Sequence, residues 1–584
     1  MASRELVPAG FAVRPDDETR LNDHVLVGGS PTRVLRLTAG GVGQVRGWLA
    51  GQPVGDSQAS RKLARKLLDA GIVHPDLGVS WPGAPGPEDV TVVVPVKDRH
   101  DELARCLDGL ITATSFGDPS GGPPVRGTRV REVVVVDDCS DDPAGIEAVA
   151  ARVGARVIRR PVNGGPGAAR NTGLADASTD LVAFLDSDCV PTPGWLDPVL
   201  AHFADPAVGA VAPRIVPAQP GSTWLARYEG ASSTLDMGAR PGLVRPGARV
   251  PYVPGAALVV RRSAAGAGFT DGMTVGEDVD FVWRLAAAGW RVRYEPGALM
   301  GHQHRVRLRA WFSRRSDYGT SAAILEGLHP GSVRPLRASW WTVAAWGAVL
   351  TVRPRMVGLT VAAGTTTVAT ALLARRLARV TGEGWPLPGR TAAPPGHAGP
   401  AAQAPRVGQP DAAGQPSAAR LAAQAHRAGQ SDAARPSWTA WRLAIRLSGG
   451  GTIASGRPLG SAISRTWWPV AIPLAIGVPR LRLPVVALVL APPLLDWVGR
   501  RPPLDPARYL AARLLDDVAY STGVWRGCLR HRSFRALLPA VGGSGRSGGS
   551  SRSGASSRSG GSGGSGWAAR ERAGSGRGTG TSRP

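Results

Sequence analysis

Short apolar runs broken by polar residues open the chain. Residues 25–27 and 34–37 flank Gly28-Gly29, and helical spacing follows at 42–50 and 59–70, which predicts a small β-hairpin followed by helices. Residues 82–87 are rich in Pro and Gly, so a linker and a boundary near 85 are expected. From 90 to about 300 the pattern changes. Apolar runs at 90–96, 133–136, 156–158, 181–185 and 208–212 alternate with helical stretches. That alternation predicts βαβ units, a mostly parallel sheet and the α/β class. Ligands of such sheets sit at the carboxyl ends of the strands, which makes the polar residues just after each run the candidates for chemistry.

Beyond 335 the chain turns apolar. Residues 338–352 and 356–374 are split by Arg353-Pro354-Arg355 and followed by Arg375 and Arg376. Only the second run approaches the roughly 20 residues that cross a bilayer, and a buried helical hairpin is the other reading. Residues 383–436 are dominated by Ala, Pro, Gly and Gln and read as a flexible linker. Two further apolar pieces, 467–478 and 483–495, are interrupted by Pro and flanked by Arg. Each is short for a span, yet Trp467, Trp468 and Trp497 stand where interfacial anchors would, so membrane association is expected over secure multipass insertion. Residues 542–584 hold seven Arg against one Glu among Gly and Ser, the composition of a solvated, disordered tail.

A length of 584 residues exceeds what one core supports and predicts several domains. They are expected at 1–85, 86–330, 331–382 (apolar, helical), 383–436 (linker), 437–541 (apolar, helical) and 542–584 (tail). The four cysteines, at 106, 139, 189 and 528, lie far apart and suggest neither a disulfide framework nor a zinc site, in keeping with a reducing compartment. The first thirty residues carry no continuous apolar stretch, so the amino-terminal part is expected in the cytoplasm. The formal charge of +25 comes almost wholly from Arg in linkers, flanks of apolar runs and the tail. That distribution favours anionic lipid over nucleic acid as a partner. The cytoplasmic face of the cell membrane follows as the expected location.

The chemistry gathers in six short motifs. Val94-Pro95-Val96-Lys97-Asp98-Arg99 leaves one strand, and Val135-Val136-Asp137-Asp138-Cys139-Ser140 ends the next. Acidic residues there serve as caps or turns, or as acceptors for a uracil or ribose; Pro95, Lys97, Asp137 and Asp138 are candidate donor contacts. The run 163–171, Asn-Gly-Gly-Pro-Gly-Ala-Ala-Arg-Asn, is a glycine-rich loop entering a helix, where free amides and the dipole attract phosphate. Gly165, Arg170 and Asn171 are its candidate contacts, and simple packing of small residues is the alternative. Asp186 and Asp188, in Phe184-Leu185-Asp186-Ser187-Asp188, project to one side of an extended chain. Oxygen ligands of that kind suit Mg2+ or Mn2+ bridging a donor diphosphate, with Asp186 close to the donor itself. In Gly276-Glu277-Asp278-Val279-Asp280 the carboxylates cap a helix, or Asp278 acts as the general base on an acceptor hydroxyl. His302, in His302-Gln303-His304 after a strand, is a candidate third metal ligand.

In this order, these motifs make residues 90 to about 320 resemble the family 2 glycosyltransferases. The resemblance implies a GT-A fold and mostly inverting transfer of a hexose from a nucleotide sugar. It further implies that Asp137 or Asp138 contacts the base, Asp186 and Asp188 hold the cation, Asp278 is the base and His302 matches the metal histidine of some members. No Gln-x-x-Arg-Trp follows the Gly-Glu-Asp motif, which argues against a processive polysaccharide synthase. The chain outside 383–436 and the tail is similar to the mycofactocin-biosynthesis glycosyltransferases. Gly28 to Arg33, Val211 to Val216, Arg227-Tyr228-Glu229, Ser232 to Asp236, Pro251 to Pro254, Pro493 to Trp497 and Leu515-Asp516-Asp517 carry that likeness. It implies UDP-glucose as donor, mycofactocin or its precursor as acceptor and a β-1,4-linked glucan as product. The first 85 residues look like a small winged-helix module of the kind that grips precursor peptides. A lipid-linked or cell-wall acceptor and a non-catalytic scaffold are the competing readings.

Overall fold

The computed structural model describes residues 4–78, 83–114, 130–219, 221–304, 306–381 and 438–542. The expected linker at 383–436 and the tail beyond 542 lie outside them, as does Pro82 of the expected 82–87 linker. The amino-terminal segment is built from β1 (Val13–Pro15), β2 (Arg20–Asn22), β3 (Val25–Gly28), β4 (Arg33–Arg36), α1 (Ala39–Leu49), α2 (Gln58–Ala70) and β5 (Val73–Pro75). The expected hairpin gains a third strand, giving the antiparallel order β2-β3-β4, while β1 pairs with β5. Leu26, Val45, Trp48, Leu67, Leu68 and Ile72 form its core. Ion pairs hold this segment on the next one: Arg65 to Asp205 at 2.6 Å, Asp69 to Arg291 at 2.7 Å and Asp16 to Arg249 at 2.7 Å. Residues 1–542 accordingly form one compact unit.

The central sheet comprises β6 (Val90–Val96), β7 (Glu132–Asp137), β8 (Arg156–Arg159), β9 (Leu181–Leu185), β10 (Cys189–Pro191), β11 (Val208–Pro217), β12 (Gly242–Leu243), β13 (Ala257–Arg261) and β14 (Arg291–His302). Its nine strands run in the order β10-β14-β11-β13-β9-β6-β7-β8, with β12 also on β14. All seven residues of β6 are buried, as expected for an apolar strand covered on both faces. The sheet is mixed where the sequence pattern predicts mostly parallel strands. β9, β6, β7 and β8 are parallel, but β13 enters antiparallel between β9 and β11, and β10 runs antiparallel to β14. Apolar periodicity sets which face a strand buries and is silent on its direction.

Helices cover both faces. α3 (His100–Thr114), α4 (Pro143–Ala151) and α6 (Leu196–Ala201) bury Leu103, Leu107, Ile146 and Val199 against one. α5 (Gly165–Asp176) and α8 (Glu277–Ala287) bury Ala169 and Phe281 against the other. α7 (Trp224–Ser232) and α9 (Leu308–Leu328) lie beyond the sheet, and the long helix Pro506–Arg530 packs on α9. That crossing is a backbone contact: a Cβ on Gly523 would stand 1.8 Å from the carbonyl oxygen of Ser316, and one on Gly319 would stand 2.2 Å from that of Tyr520.

The apolar runs form α10 (Trp340–Thr351), α11 (Arg355–Thr381) and the helices Trp468–Gly477 and Pro479–Arg500. The last corrects an expectation. Leu483 to Leu495 reads as too short to span, yet it lies inside a 22-residue helix that continues through Pro484, Pro492 and Pro493. Among the described residues two helices, Arg355–Ala378 and Pro479–Arg500, are long and apolar enough to cross a membrane, with only 17% and 11% of their most apolar windows buried. Such exposure does not match a hairpin buried in a core.

Candidate active site

The site lies at the carboxyl edge of β6, β7 and β9, where pairing aligns the predicted motifs. Val96 lies opposite Asp137, Asp137 opposite Arg159, and Leu185 opposite Ala257. A cleft of about 850 Å³ runs along this edge, and Pro95, Lys97, Asp138, Gly165, Arg170, Asp186, Asp188, Asp278 and His302 all line it. Two predicted contacts face elsewhere. Asp137 is buried, accepting from the Ser140 amide at 2.9 Å and pairing with Arg159. Asn171 exchanges hydrogen bonds with the backbone of Phe269, at 2.7 and 2.8 Å.

Asp138 shapes the glycine-rich loop. Its carboxylate accepts from the amides of Gly164 and Gly165, at 3.0 and 2.7 Å, and from Arg160 at 2.8 Å. Gly165 has φ +81° and opens α5, with Pro166 in the first turn. The left-handed backbone favours glycine there, and the missing Pro N–H costs nothing at a helix start. Arg170, one turn further on, is 2% exposed and bridges Asp186 at 2.6 Å and Glu277 at 3.0 Å. Its Nε has no hydrogen-bond partner.

The paired carboxylates have different neighbours. Burial pushes Asp186 up from the ordinary carboxylate range, opposed by Arg170 and reinforced by Asp188. At Asp188 burial acts in the same direction, but His302 and Arg99 outweigh it and hold the carboxyl well below that range. Arg99 meets Asp188 Oδ2 at 2.6 Å and His302 Nε2 lies 3.4 Å from Oδ1. Cys189, just after Asp188, pairs with His302 across β10 and β14. Among the described residues no three acidic, imidazole or thiol groups form a ready cation cage; Asp186 is paired with Arg170 and Asp188 with Arg99. The donor set of Asp188, His302 and Asp186 nevertheless suits a hard divalent ion that takes its remaining ligands from a diphosphate and water.

Asp278 lies across the cleft in the first turn of α8. Its Oδ2 accepts from the Gly255 amide at 2.7 Å and its Oδ1 from Val279 at 2.8 Å. Burial, with the negative charge of Glu277 beside it, pushes this carboxyl up to about 6 despite those amides and Arg170. A carboxylate with that value holds a proton weakly enough to release it near neutrality and strongly enough to accept one.

Several groups of the cleft are not singled out by the sequence. Arg99 ends the first motif but shows its partner only in the fold, and Gly255 is invisible as a ligand of Asp278. The far wall comes from outside the sheet: Arg314 and Tyr318 of α9, with Arg465 and Tyr520 from the region after 437. The Arg465 guanidinium stands 4.7 Å over the Tyr520 ring and 3.5 Å from Asp517. His304 also lines the cleft; burial lowers it to about 4, which keeps it neutral at pH 7, and its Nε2 lacks a hydrogen-bond partner.

The glycosyl transferase family 2 profile matches residues 91–268, and the profile of glycosyl transferase family group 2 matches 181–378. The pre-mycofactocin glycosyltransferase of Mycobacterium tuberculosis (strain CDC 1551 / Oshkosh) is 36% identical over 550 residues, covering 92% of this chain and 98% of that relative. The chain belongs to glycosyltransferase family 2. This glycosyltransferase uses a nucleotide sugar and carries a GT-A domain around the sheet described above. Solved structures similar to it include a mannosyltransferase from Pyrobaculum calidifontis in complex with GDP-Man and Mn2+, at 21% identity over 65% of this chain and 91% of that one, TM-score 0.31. Another is glucosyl-3-phosphoglycerate synthase from Mycobacterium tuberculosis with Mn2+ and UDP, at 20% identity over 42% and 82%, TM-score 0.28.

Proposed function

We propose that this glycosyltransferase transfers glucose from UDP-glucose, with inversion, to mycofactocin or its precursor, building a β-1,4-linked glucan at the cytoplasmic face of the cell membrane. The observation that carries the chemistry is Asp278, a carboxylate raised to about 6, in the same cleft as Asp186 and Asp188. The acceptor follows from the name of a relative that matches 92% of the chain. On this reading Pro95, Lys97 and Asp138 face the nucleoside, and Gly165 at the start of α5, with Arg170 one turn on, faces the diphosphate. Asp186, Asp188 and His302 would hold Mg2+ or Mn2+, which when bound supplies positive charge to the departing diphosphate.

Asp278 accepts the proton of the acceptor hydroxyl as its oxygen bonds to the anomeric carbon. The bond from that carbon to the phosphate oxygen breaks with its electron pair on the nucleoside diphosphate. Gly255 and Val279 fix the carboxylate through their amides, so it needs little reorientation. Asp137 and Asn171 act here as positioning residues, through the loop after β7 and the turn at Phe269. The exposed apolar helices favour a second reading, transfer to a lipid-linked or cell-wall acceptor. The amino-terminal module, by the same relationship, would hold a precursor peptide.

The test is transfer by purified protein with UDP-glucose, Mn2+ or Mg2+ and the reduced peptide-derived cofactor, with chelator and Asp188→Ala as controls. A glycosylated cofactor lost in both controls supports the reading. Metal-dependent UDP release without that product moves the acceptor to the membrane alternative, and no release from any common donor refutes the transferase assignment of these residues.

A further inference from the structure

The apolar helices form two hairpins, α10–α11 and Trp468–Gly477 with Pro479–Arg500, and every root of both is fixed to the same body. α10 begins beside the pairing of Arg337 and Ala338 with Ala540 and Val541. The far end of α11 buries Ala374, Leu377 and Ala378 against Ala440 and Ala444, with Val34 of the amino-terminal module packed on them. Trp467, just before the second hairpin, donates to Leu537 at 2.8 Å. At the other end Arg500 donates to Ala231 of α7 at 2.9 Å.

The two tips meet away from these roots, where Arg353 donates to the Arg480 carbonyl at 3.1 Å. The arms are unequal, 12 against 27 residues in one hairpin and 10 against 22 in the other, so along the short arms the tips stand about 18 and 15 Å from their roots, half of a hydrocarbon core of about 30 Å. Upright insertion would put the tips at mid-bilayer, where charge is expensive. Yet Arg353, Arg355, Arg480 and Arg482 are all exposed there, among Met356, Ile476 and Leu483, themselves 71%, 66% and 64% exposed. No Asp or Glu occurs from 340 to 381 or from 463 to 495. Apolar side chains interleaved with unopposed arginines are suited to the headgroup boundary, where the chains enter the lipid and the guanidiniums reach phosphate.

We infer that the two hairpins lie in the plane of one leaflet without crossing the bilayer, and that their four tip arginines bind anionic lipid phosphate. This inference rests on the membrane location proposed above and replaces spanning by interfacial binding. It is tested by flotation of the full chain with preformed vesicles, either pure phosphatidylcholine or phosphatidylcholine with phosphatidylglycerol. Binding to the anionic vesicles, reduced by high salt and weakened about tenfold or more when all four arginines become Gln, is expected. Lys at the same positions should restore it, which separates lost charge from misfolding. Equal flotation of the Gln variant, or association indifferent to salt and resistant to carbonate, would overturn the inference. So would a dimer in solution that ignores every vesicle. The same samples are assayed for UDP release in vesicle-free buffer, so failure of the transferase reading shows as lost release with flotation intact.

Discussion

Tyr228 donates its hydroxyl to Asp516 across 288 positions of sequence, at 3.2 Å. Both are buried, and Arg315 of α9 joins them, 3.1 Å from Asp516 through Nε and paired with Glu229 through Nη2. The Arg227-Tyr228-Glu229 and Leu515-Asp516-Asp517 motifs are thus two halves of one polar junction between the GT-A domain and the carboxyl-terminal helix. Removing Asp516 takes one of the two carboxylates that face the buried Arg315 guanidinium and leaves Glu229 in place, whereas Tyr228→Phe removes only one neutral donor. Asp516→Ala is therefore expected to cost about 2 to 3 kcal/mol, and Tyr228→Phe about 1 kcal/mol, both read by denaturant unfolding. Equal losses would mean that the junction is packing alone.

Asp278→Asn keeps the shape of the site and removes the base. Transfer should fall by about 100-fold to 10,000-fold, while binding of UDP, followed by calorimetry, stays close to that of the parent. The base works as a carboxylate, so kcat/KM should rise with pH through about 6 and level above it, about tenfold lower one unit below. A profile flat from pH 5 to 8 would assign the proton to another group.

Removal of the proposed cation should act on the donor half of the reaction. Asp188→Ala, or excess chelator, is expected to lower UDP release on the order of 100-fold or more, with Mn2+ or Mg2+ restoring activity after the chelator and not after the substitution. Release that survives both treatments would leave Arg99, Arg170 and His302 to balance the leaving group by themselves.

How far these residues can be read from sequence depends on how local their geometry is. Asp186, Asp188 and Asp278 show themselves because a strand end or a helix start fixes a carboxylate within a few residues. The Arg170 bridge to Glu277 spans 107 positions and needs α5 and α8 brought side by side, which no periodicity encodes. Asp137 and Asn171 carry the expected residue types at the expected spacing, yet the turns they close absorb their side chains. The direction of β13 and the continuity of Pro479–Arg500 were illegible for related reasons: pairing decides the first, and neighbouring helices decide whether prolines interrupt the second.

The docked amino-terminal module offers a pH test. Burial raises Asp16 and its hydrogen bonds with His74 and Arg249 outweigh that, leaving it well below the ordinary range. A depressed folded value adds stability above the unfolded value near 4, and that stability is lost as pH falls. Asp16→Asn should therefore lower stability at pH 7, by about 2 kcal/mol or more, and flatten the acid limb of the unfolding curve. An unchanged acid limb would place the linkage elsewhere.

The cleft wall beyond the sheet should govern the acceptor and spare the donor. Arg465 and Tyr520 line the same cleft as Asp278, but they come from helices that follow the GT-A domain by more than a hundred residues. Tyr520→Phe keeps the ring under Arg465 and deletes one hydroxyl, so acceptor KM should rise about fivefold, the size of one hydrogen bond, with UDP release in the absence of acceptor unchanged. Arg465→Ala also strips one of the two guanidiniums that face Asp517, leaving Arg513, and is expected to lower stability as well as acceptor affinity. Initial rates at varied acceptor and fixed UDP-glucose separate the two. A change in donor KM for Tyr520→Phe would mean that the carboxyl-terminal helices close over the nucleotide instead of the acceptor.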